Sequence, residues 1–391
     1  VNSNRTVLFL DFDGVTHPEP CTTEHAFSQL PLVESILREF ADVEVVISSS
    51  WRNQFTLEGL QCNFSDDIAG RVVGVTPSIT DSSWNPGVPE FDRQFEIECW
   101  IEEHRPGANW IAIDDRAEWF QPGCPQLLLT EKSTGFVEQD AEKLRKLLRH
   151  TQLKNALQKI WFLGDVHGSF LHIAQAILAA SIKPTWLVFL GDIDIDHMPL
   201  VQVLAPLSRT FPTIKVGFIH GNHDADTYEH WDCLHHAGEA VALHGQVLDL
   251  DGVKVAGLGG TFLDRVWMPP KHPHFGSKSA AMNRGAFQFR DGQRPNPSYL
   301  GAIYPDDFDQ LARERADILI THEAPSCHPF GFQKIDELAR AMGVLRSFHG
   351  HTHDDMTETY KTQWDTLGFE SIGVNYCSIK NGLGDRIECL T

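Results

Sequence analysis

Carboxylates, imidazoles and an amide collect in this chain where apolar runs stop. In the second half these tips read GDVHG, GDID, GNHD, THE and GHTH. They supply Asp165, His167, Asp192, Asn222, His223, His322, His351 and His353. Carboxylate, imidazole and amide oxygen together suit a borderline divalent transition metal such as Mn, Fe or Zn. The set is too large for one ion; two ions sharing Asp192 would use it fully. Such a pair binds phosphate oxygens and activates water for phosphoryl chemistry. Glycines beside these residues allow the tight turns that make side chains converge. His220, His235, His236 and His244 fit no such pattern and are expected in surface or core roles.

The first half opens with VLFLDFDGVTH, which sets Asp11 and Asp13 two apart at the end of an apolar run. On an extended chain they face the same side. One carboxylate can attack phosphorus while the other moves protons on the leaving group and on water. A Mg²⁺ ion would hold Asp11 and the phosphate together. Ser48 in VVISSSWR is expected to hydrogen-bond a phosphoryl oxygen. Arg93, opening RQFEIECWI, supplies positive charge, and Asp114 and Asp115 in WIAIDDR complete the Mg²⁺ site.

These residues must be carried by strands. TVLFLDF, VEVVIS, NWIAID and QLLLT read as short buried strands, with LVESILREFA and RQFEIECWIEEH as helices between them. The second half restarts with KIWFLGD, TWLVFLGD, IKVGFIHGNHD, VKVAGLGG, DILITHEAP and LRSFHGHTH. Alternating strands and helices predict an α/β fold in each half, with ligands at the carboxyl ends of the strands. The charged, helical VEQDAEKLRKLLRHTQLKNALQK closes the first domain and leads into the second. The expected domains are 1–152 and 153–391. Gly14 to Glu44 leaves room for a helix and loops only. Asn53 to Asp92 reads as irregular, with Trp84, Asn85, Pro86 and Gly87 in a lid loop. So open a site suits a large substrate end better than a small metabolite.

Composition narrows the field. With 391 residues the chain is long enough for two cores. Its net charge of −21 argues against broad non-specific nucleic-acid binding. The excess is uneven: 25 acids against 12 bases up to Gln152, then 28 against 20. Eight scattered cysteines form no CxxC pair, which speaks against a zinc ribbon and for a reducing compartment. No apolar run reaches the roughly 20 residues of a membrane span, and no secretory apolar region is present. A start at Val1 rather than Met implies trimming or processing.

The ordered tips resemble the calcineurin-like metallophosphoesterase family over Lys159 to Thr391. That resemblance implies an α/β sandwich. One metal would take Asp165, His167, Asp192 and His353; the other would take Asp192, Asn222, His322 and His351. His223 would be the general acid. Many relatives place an acid that orients this histidine where Ile195 stands here; Asp194, Asp196 or Asp224 would substitute. Over Val7 to Leu148 the motifs resemble the haloacid dehalogenase (HAD) superfamily. SSWR and IAIDD are similar to the small HAD domains of bacterial RNA-repair proteins. The implied fold is Rossmann-like with a minimal cap. Asp11 would be the nucleophile and Asp13 the acid/base, with Asp11, Asp13 and Asp115, rather than Asp114, around magnesium. Arg93 stands where many members use lysine.

Thr261 to Tyr304 forms a basic island with interleaved aromatics: Phe262, Trp267, Phe275, Phe287, Phe289 and Tyr299. It is either a nucleotide or nucleic-acid platform, with Arg284, Arg290 and Arg294 binding substrate, or a packed excursion that covers the core or forms a dimer contact. Together the resemblances imply a phosphodiesterase and phosphomonoesterase that heals RNA ends carrying a 2′,3′-cyclic phosphate or 3′-phosphate. Its setting would be cytoplasmic, away from membranes, beside repair kinase or ligase partners. The alternatives are a hydrolase of small signalling nucleotides and a phosphate-dependent binding factor with one weak domain.

Overall fold

A computed structural model describes residues 5–78, 90–195, 197–283 and 296–388. The chain divides into two compact units, Val1–Asn155 and Ala156–Thr391. The division falls inside one continuous helix, Glu138–Lys159.

The first unit is built on β1 (Val7–Leu10), β2 (Glu44–Ile47), β3 (Val72–Val75), β4 (Trp110–Asp114) and β5 (Leu127–Leu129). All pair in parallel, in the order β3-β2-β1-β4-β5. Helices cover both faces, so β1 is apolar at every position. Leu8 and Leu10 pack with Val33, Ile36 and Leu37 of helix Leu30–Glu39 and with Leu144 and Leu148. Val7 and Phe9 point the other way, against Ile97, Trp100 and Ile101 of helix Asp92–His104. The chain leaves β1 for β2 on one side and returns for β4 on the other, which opens a crevice at the tips of these strands.

Among the described residues the second unit holds two five-stranded sheets. In one, β6 (Ile160–Leu163), β7 (Trp186–Leu190), β8 (Lys215–Ile219) and β9 (Val241–Ala242) run parallel. The other comprises β10 (Gln246–Leu250), β11 (Val253–Leu258), β12 (Ile318–Thr321), β13 (Arg346–His349) and β14 (Glu370–Gly373), with only β10 antiparallel to its neighbour. The last strand, β15 (Ile379–Asn381), adds antiparallel to the edge of β6 in the first sheet. Phe162 of β6 and Phe348 of β13 stack at 4.2 Å, joining the two sheets. Ile173 and Ile177 of helix Leu171–Ala179 pack with Leu163, Leu187 and Phe189. Ile335, Leu338 and Met342 of helix Gln333–Met342 pack with Ala256, Leu258 and Leu319.

Two expectations change here. The stretch expected to be irregular forms helices Leu57–Gln61 and Asp66–Ala69 and the edge strand β3. Its short apolar set, Leu60, Phe64, Ile68 and Val72, is buried in the core and decides the matter. The lid residues Trp84, Asn85, Pro86 and Gly87 lie outside the described residues. In the basic island, Phe262, Trp267 and Tyr299 are buried beside Tyr304 and Phe308, and Phe275 packs against them. Phe262, Trp267 and Tyr299 build core and offer no stacking face. Arg284, Arg290, Arg294, Phe287 and Phe289 lie outside the described residues.

Candidate active sites

In the first unit, β1, β2 and β4 deliver their polar tips to one place. One carboxylate oxygen each of Asp11, Asp114 and Asp115 lies within 4.8 Å of the others. Gly14 permits this approach. Its φ is +72°, and a Cβ there would stand 2.5 Å from Asp115 Oδ2. Burial raises the carboxyls of Asp11 and Asp114, the latter to about 8; the charge of Asp11 adds to the rise at Asp114, and Arg93 opposes it at both. Asp115 is raised in the same way. Oδ2 of Asp114 and of Asp115 are buried without a hydrogen-bond partner among the described residues. Three crowded carboxylates with orphaned oxygens fit a hard cation such as magnesium.

Arg93 is buried and lies 3.9 Å from Asp11 Oδ1 and 3.7 Å from Asp114 Oδ2. It donates to the Ser48 carbonyl, as does Arg52, which is itself held by Glu96 at 2.7 Å. Ser48 therefore contributes its carbonyl to the arginines, while the hydroxyl that donates to Asp11 is that of Ser49. Asp13 also departs from expectation. The strand ends at Leu10, so the pleat no longer aims both acids alike. The Asp13 side chain is not among the three grouped carboxylates. Its Oδ2 accepts from Trp51 Nε1 at 3.0 Å and its Oδ1 lies 3.2 Å from His17 Nε2. The Phe27 N–H donates to His17 Nδ1, so the ring proton sits on Nε2 and faces Asp13. Asp114 joins the cluster alongside Asp115 rather than yielding to it.

In the second unit, two clusters share one residue. His167, Asp192 and His353 bring ligand atoms within 4.8 Å of one another, and so do Asp192, His322 and His351. Asp165 lies between them, 3.5 Å from His353 Nε2 and 3.7 Å from His322 Nδ1. Asn222 Oδ1 is 3.1 Å from His322 Nε2, and Asp192 Oδ2 is 3.3 Å from it. Eight non-glycine residues have positive φ among the described residues, and five of them are His167, Asp192, Asp194, His351 and His353. Strain of this kind persists where the surroundings over-determine it, and here it gathers on one site.

Electrostatics sort these groups. Burial works against a charged His322, but Asp192 and Asp165 raise it to about 10. His322 Nδ1–H donates to the Leu190 carbonyl at 2.8 Å, which turns Nε2 toward the cluster. Burial and the charge of His322 lower His351 to about 4, leaving it a neutral imidazole. Burial also raises Asp165, whose two oxygens are buried with no hydrogen-bond partner among the described residues. Orphaned carboxylate oxygens amid imidazoles and an amide fit divalent transition metals.

His223 Nδ1 lies 2.9 Å from Asp226 Oδ2. Burial opposes its charged form, yet Asp226 and Asp192 raise its pKa. Of the three acids expected to support it, two have hydrogen-bond partners elsewhere. Asp194 holds His167 Nδ1 at 3.2 Å, Asp224 accepts from the backbone N–H groups of Asp194 and Gly221, and Asp196 lies outside the described residues.

A family model described as calcineurin-like phosphoesterase matches residues 158–355. The chain belongs to the calcineurin-like phosphoesterase family. A second model, described as the HAD domain in Swiss Army Knife RNA repair proteins, matches residues 7–141. This calcineurin-like phosphoesterase therefore carries an N-terminal HAD domain, and both domains are those of phosphoric ester hydrolases. An uncharacterized protein of Haemophilus influenzae is 35% identical over an alignment of 226 residues that covers 54% of this chain and 92% of that protein. One crystal structure matches 60% of this chain and 98% of its own at 13% identity, with a TM-score of 0.36, too loose a likeness to carry an argument. Among the described residues no helix is long and apolar enough to cross a membrane.

Several residues at these sites escaped the reading of motifs. Asp226 stands three after His223, and Glu96 three after Arg93, spacings that could have been noticed. Glu323, raised to about 7 by burial, lies 4.0 Å from His351 Nε2. Tyr376 belongs to no motif, and its ring lies 5.7 Å from that of His167 and 5.3 Å from that of His353.

Proposed function

We propose that the two sites act in series on RNA ends, the second unit opening a 2′,3′-cyclic phosphate and the first removing the monophosphate. The observation that carries this is Asp192 shared between two ligand clusters on a chain that also holds the three-acid Asp11 cluster. Paired transition metals (Mn, Fe or Zn) would be held by Asp165, His167, Asp192, Asn222, His322, His351 and His353, and magnesium by Asp11, Asp114 and Asp115. When bound, such ions supply charge for phosphoryl oxygens and lower the pKa of water.

The chain's own residues do the rest. His223, whose hold on its proton Asp226 strengthens, gives that proton to the leaving oxygen. In the first unit the Phe12 N–H occupies Asp11 Oδ1 at 2.9 Å, leaving Oδ2 to attack phosphorus. Asp13, oriented by Trp51 and His17, protonates the departing hydroxyl and later takes a proton from water. Arg93 and the Ser49 hydroxyl balance charge on the transferred group. The RNA-repair flavour of the matched HAD model supports the substrate, as does the chemistry of the pair: a diesterase feeds a monoesterase. A cytoplasmic setting and kinase or ligase partners belong to the same proposal.

The test is product analysis on a short RNA ending in 2′,3′-cyclic phosphate, with Mn²⁺ and Mg²⁺ present. Asp192→Asn is expected to leave the ring closed, and Asp11→Asn to stop at the monophosphate. RNA untouched by a wild-type protein that hydrolyses generic phosphoesters would remove RNA ends as the substrate and turn the search to small nucleotides.

A further inference from the structure

With three aromatics of the basic island buried, a base beside the two-cluster site needs another surface. Tyr376 is 48% exposed, and its ring tilts against those of His167 and His353. The segment that carries it is tied down. Asn375 Oδ1 accepts from the Tyr376 N–H at 2.6 Å, and the Cys377 N–H donates to the Asp165 carbonyl at 3.3 Å. The Ser378 carbonyl accepts from Gly164 on the tip of β6. An aromatic ring half open to solvent, anchored to the strand tip that carries Asp165, is a ready stacking surface. Such surfaces take nucleobases of any sequence, because every base has a π face.

We propose that Tyr376 is the base-binding subsite of the second unit, stacking the base of the nucleotide whose phosphoester is cut. The inference rests on the reading of this site as a phosphodiesterase for nucleotide ends. It names a contact to substrate rather than to metal, and it assigns the specificity to a ring rather than to a hydroxyl.

The test compares wild type, Tyr376→Phe and Tyr376→Ala in full-length protein. All carry Asp11→Asn to silence the first unit, with Mn²⁺ present. Adenosine 2′,3′-cyclic phosphate is set against glycerol 1,2-cyclic phosphate, the same five-membered diester without a base. Each competes with hydrolysis of bis(p-nitrophenyl) phosphate, so affinity is read whether or not the ring opens. Tyr376→Ala is expected to weaken the nucleotide at least about 5-fold, leave the glycerol ester unchanged, and differ from Tyr376→Phe, which retains nucleotide affinity. Equal weakening of both ligands would make Tyr376 a support for His167 and His353 and overturn the subsite, as would no weakening of either. If the nucleotide binds through Tyr376 but the wild-type enzyme never opens it, the subsite stands and end healing falls.

Discussion

His223 shows how much one side chain depends on its partner. Its Nδ1 pairs with Asp226, and the pairing raises the pKa of the imidazole against the effect of burial. General acids contribute about 10²–10⁴-fold to rate, so His223→Asn should lower kcat by that factor on esters with poor leaving groups. The loss should be much smaller with a p-nitrophenolate leaving group. Asp226→Asn removes a cause that raises the His223 pKa. The basic limb of the pH–rate profile should therefore move to lower pH, and an unmoved limb would assign the proton to another group. Asp194 adds to the same effect only after Asp226 and Asp192, and its carboxylate faces His167.

At the scale of elements, strand tips do the positioning, and small residues let them meet. Gly191 follows β7 with φ +99°, and a Cβ there would lie 2.5 Å from His322 Nδ1 and 2.8 Å from the Gly221 nitrogen. Gly191→Ala therefore combines backbone strain with a clash. It should destabilise the second unit by ~1–3 kcal/mol and weaken its metal binding, while monoester hydrolysis through Asp11 persists. Thermal unfolding with and without Mn²⁺ reads both effects; a variant that melts and binds metal as wild type does would contradict the geometry. The basic island makes the opposite point about elements. Alternating bases and aromatics suggested a binding surface, but Trp267 and Phe262 meet edge to face at 5.3 Å inside the core.

For the whole molecule, the metal-free state should be sensitive to alkaline pH. His322, raised to about 10, stabilises the folded chain below its ordinary value near 6.5, and that contribution is lost as pH rises through 10. Asp114, raised to about 8, keeps its proton when folded while the unfolded chain ionises above about 3.8, so stability also falls between those values. Both effects lower stability from pH 6 to pH 9, one in each unit. Metal binding displaces these protons and strengthens over the same range. The melting temperature of chelator-treated protein should drop from pH 6 to pH 9, with a much flatter profile under excess Mn²⁺ and Mg²⁺. A chelated protein equally stable at both pH values would mean that these groups do not carry the raised pKa values in solution.

Much of this was legible before any fold was known. Apolar runs ending in polar or glycine tips determined the strands β1, β2, β4, β6, β7, β8, β11, β12 and β13, because a buried parallel strand has no polar face to show. The recurring tips determined which residues share a site, since ligands must converge where strands end. Tertiary structure decided what spacing along the chain cannot encode. It chose Ser49 over Ser48 for Asp11, because two adjacent hydroxyls differ only in which way the turn after β2 aims them. It paired Asp13 with Trp51 and His17, which lie 38 and 4 residues away in sequence. And it set Tyr376 beside His167 and His353, 209 and 23 residues before it in sequence, because the chain between β14 and β15 is tied to the tip of β6.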